Sequence, residues 1–358
     1  MTLRPKPTIQ KALISSTSRF VGEYEKNGML LAHAWPDFYD RTASTRWFEG
    51  PLSRSAFVFI FETPPLIEKS GPVPDYSPMG DLICAYLAVL FGKRFDFHGI
   101  IESRGLFHFP NLKQFEHLCD HHLPQNSHSP RVDFPVPLEL GQFSRIERLL
   151  LAPLPDIKFL RTFQGATKFY LQALRNIEYD PEIAYLHLIT AGEILSNYYD
   201  YRTEALLDTQ TLKVLSKIQE ELVNGDRVAK FISKKLLQVK RRFVETIIGL
   251  VEKDFFQHSE AKEPFAGLKE SSFRDTISAA YDLRSRYVHT GIPFRNLVSH
   301  YISGMNNEIM IGKPVVEDKE FGKILAKVPT YLGLERIIRY CLLRFAQLNN
   351  AYIEPSIV

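Results

Sequence analysis

Cysteine is scarce in this chain. Three residues in 358, Cys84, Cys119 and Cys341, fall at unrelated spacings, which excludes a disulfide framework and fits a reducing compartment. Long apolar runs are also missing: none approaches the roughly 18 to 20 residues that cross a bilayer. Residues 1–11 carry Arg4, Lys6 and Lys11 without the apolar core of a secretion signal. A cytoplasmic protein with no membrane partner is expected. Charge of one sign is lacking too, the formal net being +3. That balance neither demands nor excludes nucleic acid, so an electrostatic case must rest on local clusters. Internal repeats and low-complexity segments are absent.

What remains is ordinary globular composition, 24% charged and 45% hydrophobic, in a length that favours two domains. The first part reads as mixed. Ser55 to Thr63 is aromatic and β-branched, stops at Pro64-Pro65 and has the length of a buried strand. Ser77 reads as an N-cap with Pro78 at the first helical position, opening an apolar helix that stops at Gly92. Two strands, residues 94–102 and 106–109, flank a tight turn at Ser103-Arg104-Gly105. Residues 124–137 hold four prolines and read as a protease-accessible boundary. The expected fold is an α+β N-terminal domain, residues 1–137, followed by an all-α helical bundle, residues 138–358.

Four helices are read in the second part. Asp180-Pro181-Glu182 starts one that runs through Ile194. Ile232, Leu236, Val239, Phe243 and Ile247 repeat at three and four, predicting a long helix over residues 228–258. Ser271 or Ser272 caps a third, ended by Gly291 and Pro293, and Pro329 opens the last. Residues 291–316 read as an irregular insertion.

The chemistry-bearing stretch is Tyr281-Asp282-Leu283-Arg284-Ser285-Arg286-Tyr287-Val288-His289-Thr290-Gly291. Arg284 offers a planar fork of donors to a phosphate, and His289 is the residue type that takes and gives a proton near neutrality. Five residues apart on a helix, the two point about 140° away from each other and would border two sides of a groove. Such a pair is equally at home as a surface cation and a capping cation. Upstream, Glu193 is embedded in Leu188-Ile189-Thr190-Ala191-Gly192-Glu193-Ile194-Leu195, where a carboxylate is costly unless paired. Arg284 is its expected partner.

Ala280-Tyr281-Asp282-Leu283-Arg284-Ser285 followed by Val288-His289 resembles the signature of the HEPN superfamily, in its ApeA-like branch. The Glu193 helix and the closing helix after Pro329 extend the resemblance over roughly residues 165–350. It implies a metal-independent endoribonuclease with Arg284, His289 and Glu193 in the catalytic site, no cofactor, and a homodimer in which two motifs face one cleft. His289 would deprotonate the ribose 2′-OH or protonate the departing 5′-oxygen, leaving a 2′,3′-cyclic phosphate and a 5′-hydroxyl. It also implies tRNA or mRNA as target, with a role in antiviral defence or as a toxin. Many members have Asn, His or Asp where this chain has Ser285. A non-catalytic HEPN module that binds nucleotide or RNA, or dimerises for a partner protein, is the competing expectation.

RNA contacts are expected from Ser285, Arg286 and Tyr287, and from a basic stripe of Lys230, Lys234, Lys235, Lys240, Arg241 and Arg242. A solvated helix face explains the stripe as well, and Tyr287 fits a core position as well. Six of the eleven histidines fall between His98 and His128. His117, Cys119, His121 and His122 invite a zinc reading, with His117 and His121 as a half-site on one helix face, but paired-ligand spacing is missing and no metal is assigned. The N-terminal domain is expected to sense or position, through a regulatory partner or ligand.

Overall fold

The protein is described by a computed structural model covering residues 7–34, 54–64, 74–151, 156–201, 206–207, 209–236, 239–298, 306–312 and 314–352, without the side chains of residues 116, 233–236 and 295–296. Its first half contains β1 (Thr8–Ser16), β2 (Tyr24–Lys26), β3 (Met29–His33), β4 (Ser55–Thr63), α1 (Ser77–Phe91), β5 (Phe95–Ser103) and β6 (Leu106–Phe107). The strands make one antiparallel sheet in the order β2-β3-β4-β1-β5-β6. The aromatic strand read from the sequence is β4, with the same ends. Phe57, Phe59 and Phe61 alternate on its core face, the period that a pleated strand imposes. The β5–β6 turn places Arg104 at φ 55° and Gly105 at φ 80°, the paired positive values of a two-residue hairpin.

Helix α1 has nine consecutive buried residues, Ile83 to Phe91, because it is covered on both sides. The sheet lies on one side and the first bundle helix on the other. Its start differs from the expected cap: Ser77 is the first helical residue, and Asp75 Oδ1 accepts the Ser77 N–H at 2.9 Å. Its stop is as expected, with Gly92 left-handed at φ 63°.

The second half contains α2 (Ile157–Asn176), α3 (Pro181–Ser196), α4 (Thr209–Glu221), α5 (Gly225–Leu236), α6 (Val239–Leu250), α7 (Phe273–Thr290), α8 (Arg295–Val298), α9 (Lys319–Leu325) and α10 (Tyr331–Leu348). Helices α2, α3, α6, α7 and α10 pack on one another as the bundle. Asp180 caps α3 by accepting the Ile183 N–H at 3.0 Å, as the Asp-Pro-Glu start predicts. Gly291 ends α7 at φ 68°, and Thr330, one residue past Pro329, caps α10. The long helix expected over residues 228–258 needs correcting. Helices α5 and α6 carry its described helical residues, and α6 stops at Leu250. Beyond it a short 3-10 turn, Lys253–Gln257, sets Phe255 and Phe256 against Phe273, a tertiary packing that outweighs the local period. Helices α4 and α5 pair around their own small core of Leu207, Leu215 and Ala229.

The proline-rich stretch is also different from its expectation. Gln125, Asn126, Arg131, Asp133 and Val136 are buried there, and sheet and bundle residues share one hydrophobic core. Arg131 forms a two-pronged pair with Glu335 of α10 at 3.0 and 2.6 Å, and its Nε donates to Glu260 at 2.5 Å. Arg339 donates to the Val89 and Leu90 carbonyls at the end of α1, at 3.0 and 2.8 Å, and lies 3.4 Å from Asp133. Arg336 reaches Glu308 at 3.0 Å. Cations at the end of α1 meet the negative pole of its dipole. A side chain at Gly92 would strike Arg131 Cγ at 2.8 Å and Arg339 Nε at 2.9 Å, so glycine is needed for space as well as for φ. Four prolines mark a segment without regular structure; Pro130, Val132, Pro135 and Pro137 are exposed, while Arg131, Asp133 and Val136 between them are buried. Charge pairing holds it between the halves.

Candidate functional site

Three bundle helices meet at one point. Gly192 of α3 faces Phe243 of α6 so closely that a Cβ there would lie 2.4 Å from the ring. The Phe243 ring is 5.5 Å from that of Tyr281 on α7. The chain neighbours of these packing residues are the charged ones: Glu193 follows Gly192, Arg242 precedes Phe243, and Arg284 lies one turn beyond Tyr281.

Arg284 Nη2 donates to Glu193 Oε2 at 3.4 Å, so the partner expected for the embedded glutamate is the one it has. Both side chains stay partly open, at 27% and 15% exposure. The Arg284 guanidinium also sits 5.7 Å from the Tyr281 ring centre. Burial pushes the Tyr281 hydroxyl up to about 12, aided by the nearby Glu193 carboxylate. Tyr281 is therefore a neutral donor at physiological pH. Sequence reasoning assigns no role to this tyrosine, although its position three residues before Arg284 puts both on one helix face.

His289 is exposed in the last turn of α7, before the Gly291 cap. Among the described residues no hydrogen bond, ion pair or ring contact joins it to Arg284. Their separation follows from the 140° between positions five apart, with Arg284 turned inward onto α3. Within one chain the predicted pair borders the α7 surface without converging.

The other expected contacts divide by partner. Arg286 pairs with Asp318 at 2.5 Å and lies 4.8 Å over the Phe321 ring. Tyr287 packs edge-on against Phe294 at 5.3 Å, with burial raising its hydroxyl, so its ring serves the packing around α7. Ser285 is half-buried beside them. On α6, Lys240 forms a pair with Asp282 at 2.6 and 2.7 Å, and Arg241 donates to the Leu206 carbonyl at 3.0 Å. Arg242 is half-buried, with its Nε enclosed and unpartnered. Lys230 is exposed on α5; Lys234 and Lys235 fall on the same helix, but their side chains lie outside the described residues.

Neither a family model, nor a curated protein, nor a solved structure matches the chain. The site is therefore read from its own chemistry: two arginines, one carboxylate and one neutral phenol at the α3–α6–α7 junction, with a histidine farther along α7.

The histidine-rich stretch does not form the half-site considered from sequence. Residues Lys113–Glu116 make a 3-10 turn, His117 is extended, and no helix face carries both His117 and His121. His121 Nε2 lies 3.6 Å from Cys119 Sγ, its Nδ1 is 3.1 Å from the Asn126 carbonyl, and its ring lies tilted against that of His128, 4.7 Å between centres. His122 is exposed. Among the described residues no group of three or more His, Cys, Asp and Glu side chains is arranged to hold a metal ion. No described helix is long and apolar enough to cross a membrane.

Proposed function

We propose that the helical half is a HEPN-type domain and that the protein cleaves RNA, with Arg284 binding phosphate and His289 transferring the proton. The observation carrying this reading is the Glu193–Arg284 contact between α3 and α7. The cost of burying an unpaired carboxylate predicts that pairing from the sequence, between residues 91 positions apart, whether it orients Arg284 or only ties two helices together. Arg284 would stabilise charge developing on the phosphoryl group as the 2′-oxygen attacks and the 5′-oxygen leaves. His289 would take the 2′ proton or supply the 5′ one. Because the two side chains diverge on one helix, the reading calls for a homodimer whose two α7 surfaces line one RNA-binding cleft. Phosphate contacts from the α5–α6 basic stripe would add affinity without sequence selection.

A second reading belongs to a different class: a module that binds RNA or nucleotide without cutting it. The separation of His289 from Arg284 favours it. Incubation of the purified chain with total RNA in EDTA separates the two. Cleavage should survive chelation and leave 2′,3′-cyclic phosphate ends, and His289→Ala should reduce it by about 10² to 10⁴-fold with folding intact. Wild-type cleavage by a clean His289→Ala preparation, or 3′-hydroxyl products made only with a divalent ion, would sink the proposed mechanism.

A further inference from the structure

Arg242 stands apart from Lys240 and Arg241, its neighbours in the basic stripe. Lys240 is neutralised by Asp282, Arg241 holds a backbone carbonyl and Arg284 holds Glu193. Arg242 makes no hydrogen bond or ion pair among the described residues, and its Nε is closed off from solvent. An enclosed guanidinium nitrogen without an acceptor is costly, which marks a group awaiting a ligand or water.

Its surroundings are specific. Thr246, four residues on and therefore on the same face of α6, is bonded at 2.6 Å to the Tyr201 hydroxyl. Phe243, the next residue on α6, has its ring 5.5 Å from that of Tyr281, and burial raises both the Tyr201 and Tyr281 hydroxyls while the Arg242 charge acts to lower them. The Gly192–Phe243 contact brings this part of α6 onto α3 next to Glu193. Counting formal charges, Arg242 and Arg284 bring +2 and Glu193 brings −1, while Lys240 and Asp282 cancel. One positive charge is left over, with a neutral Tyr281 donor beside it.

We propose that Arg242 and Arg284 form a two-arginine clamp for a single backbone phosphodiester of RNA, with the Tyr281 hydroxyl as an accessory donor. A phosphodiester carries one negative charge and so neutralises the surplus. Its two free oxygens suit guanidinium forks better than a point cation. Glu193 holds Arg284 in place by a long 3.4 Å contact that the incoming phosphate can share. The clamp deepens the RNA reading above, since it names the group bound, but it does not depend on RNA being cut.

The test uses the full chain and a short RNA with 2′-O-methyl sugars, which binds but cannot be cleaved by 2′-OH attack. Arg242→Gln should weaken binding about tenfold and lower the salt slope by about 0.7, the share of one single-strand phosphate. Arg242→Lys should restore the slope but not the full affinity, because it returns charge without the fork. Pyrophosphate should displace the RNA from wild type and not from Arg242→Gln. Equal affinity and slope for wild type and Arg242→Gln, both shown folded by their melting curves, would overturn the clamp, as would a wild type that binds no RNA at low salt. Arg242-dependent binding by a protein that cuts no natural RNA would keep the clamp and remove the nuclease. Loss of cutting in His289→Ala with an unaffected Arg242→Gln would do the reverse.

Discussion

Two regions of this protein are built from arginine, and they treat it in opposite ways. At the joint between sheet and bundle, Arg131, Arg336 and Arg339 are each about 1–2% exposed and each is met by carboxylates and carbonyls. Burial there works because each guanidinium is paired with carboxylates, although Arg336 Nε has no hydrogen-bond acceptor and only the Asp133 carboxylate at 3.5 Å. At the α3–α6–α7 junction, Arg284 is 27% exposed with one long ion-pair contact, and Arg242 makes no hydrogen bond or ion pair among the described residues. A sealed, satisfied network stabilises one geometry; a half-open, under-satisfied one keeps capacity for a ligand. Burial, opposed by Arg131, raises the carboxyl of Glu260, while Asp133 is held below the usual carboxylate range by the Arg131, Arg339 and Arg336 guanidinium groups despite its burial. The joint is thus tuned to hold its own charges in balance.

The contrast can be broken most sharply by removing one cation from each region. Arg131→Met strips Glu335 and Glu260 of their partner in a sealed site and should cost about 3–5 kcal/mol, read as a large drop in denaturation midpoint. Arg284→Met, removing a partly exposed pair, should cost no more than about 1 kcal/mol while abolishing RNA cleavage. Similar losses of stability in both variants would erase the distinction.

A smaller effect tests whether the open site depends on close helix contact. Gly192→Ala pushes a methyl into Phe243 and should cost about 1–3 kcal/mol by overpacking. Because Glu193 and Arg242 flank that contact, RNA affinity should fall as well. A melting curve lowered with affinity unchanged would separate the helix contact from the site.

The smallest effect concerns protons at the joint. His128 is pushed down to about 4, chiefly by burial and then by His121, Arg19 and Lys93. Its folded value is below the unfolded 6.5, so as pH falls the unfolded chain binds the proton first. Stability present above about pH 6.5 should therefore decline towards pH 4, by on the order of 1 kcal/mol once partial exposure is allowed for. His128→Asn should flatten that part of a melting-temperature profile between pH 7 and 5. An unchanged slope would show that His128 is not sealed.

How legible each element was depends on where its partners lie. Strand β4, the stop of α1 at Gly92, the Arg104-Gly105 turn and the Asp180 cap were read correctly, because each is governed by neighbours within a few residues. Strand β1 was missed. Its Gln10 and Ser15 look unsuited to a core strand, yet Gln10 donates to Thr63 at 3.1 Å and Ser15 pairs with His98 at 2.8 Å, partners more than fifty residues away. Helix α2 was missed as well, although Asp156 caps it by a local bond to the Phe159 N–H at 3.0 Å. In the candidate site Glu193 was found by its apolar surroundings. The same signal stood in α10, where Glu335, Arg336 and Arg339 interrupt Leu334, Ile337, Ile338 and Leu342, and there it pointed to the buried joint.

By itself the sequence determined the local units of this protein: where helices are capped and ended, which strand faces a core, and that an embedded glutamate needs a cation. Hydrogen bonds within a turn and the periods of strand and helix act over a few residues, so composition and spacing suffice. Three-dimensional packing settled that charged residues of a proline-rich stretch are buried, that Arg336 and Arg339 serve structure, and that Arg242 has no hydrogen-bond partner among the described residues. Those outcomes depend on which acceptors three-dimensional packing brings within about 3 Å of a charge whose solvent it removes, and no local pattern encodes that distance.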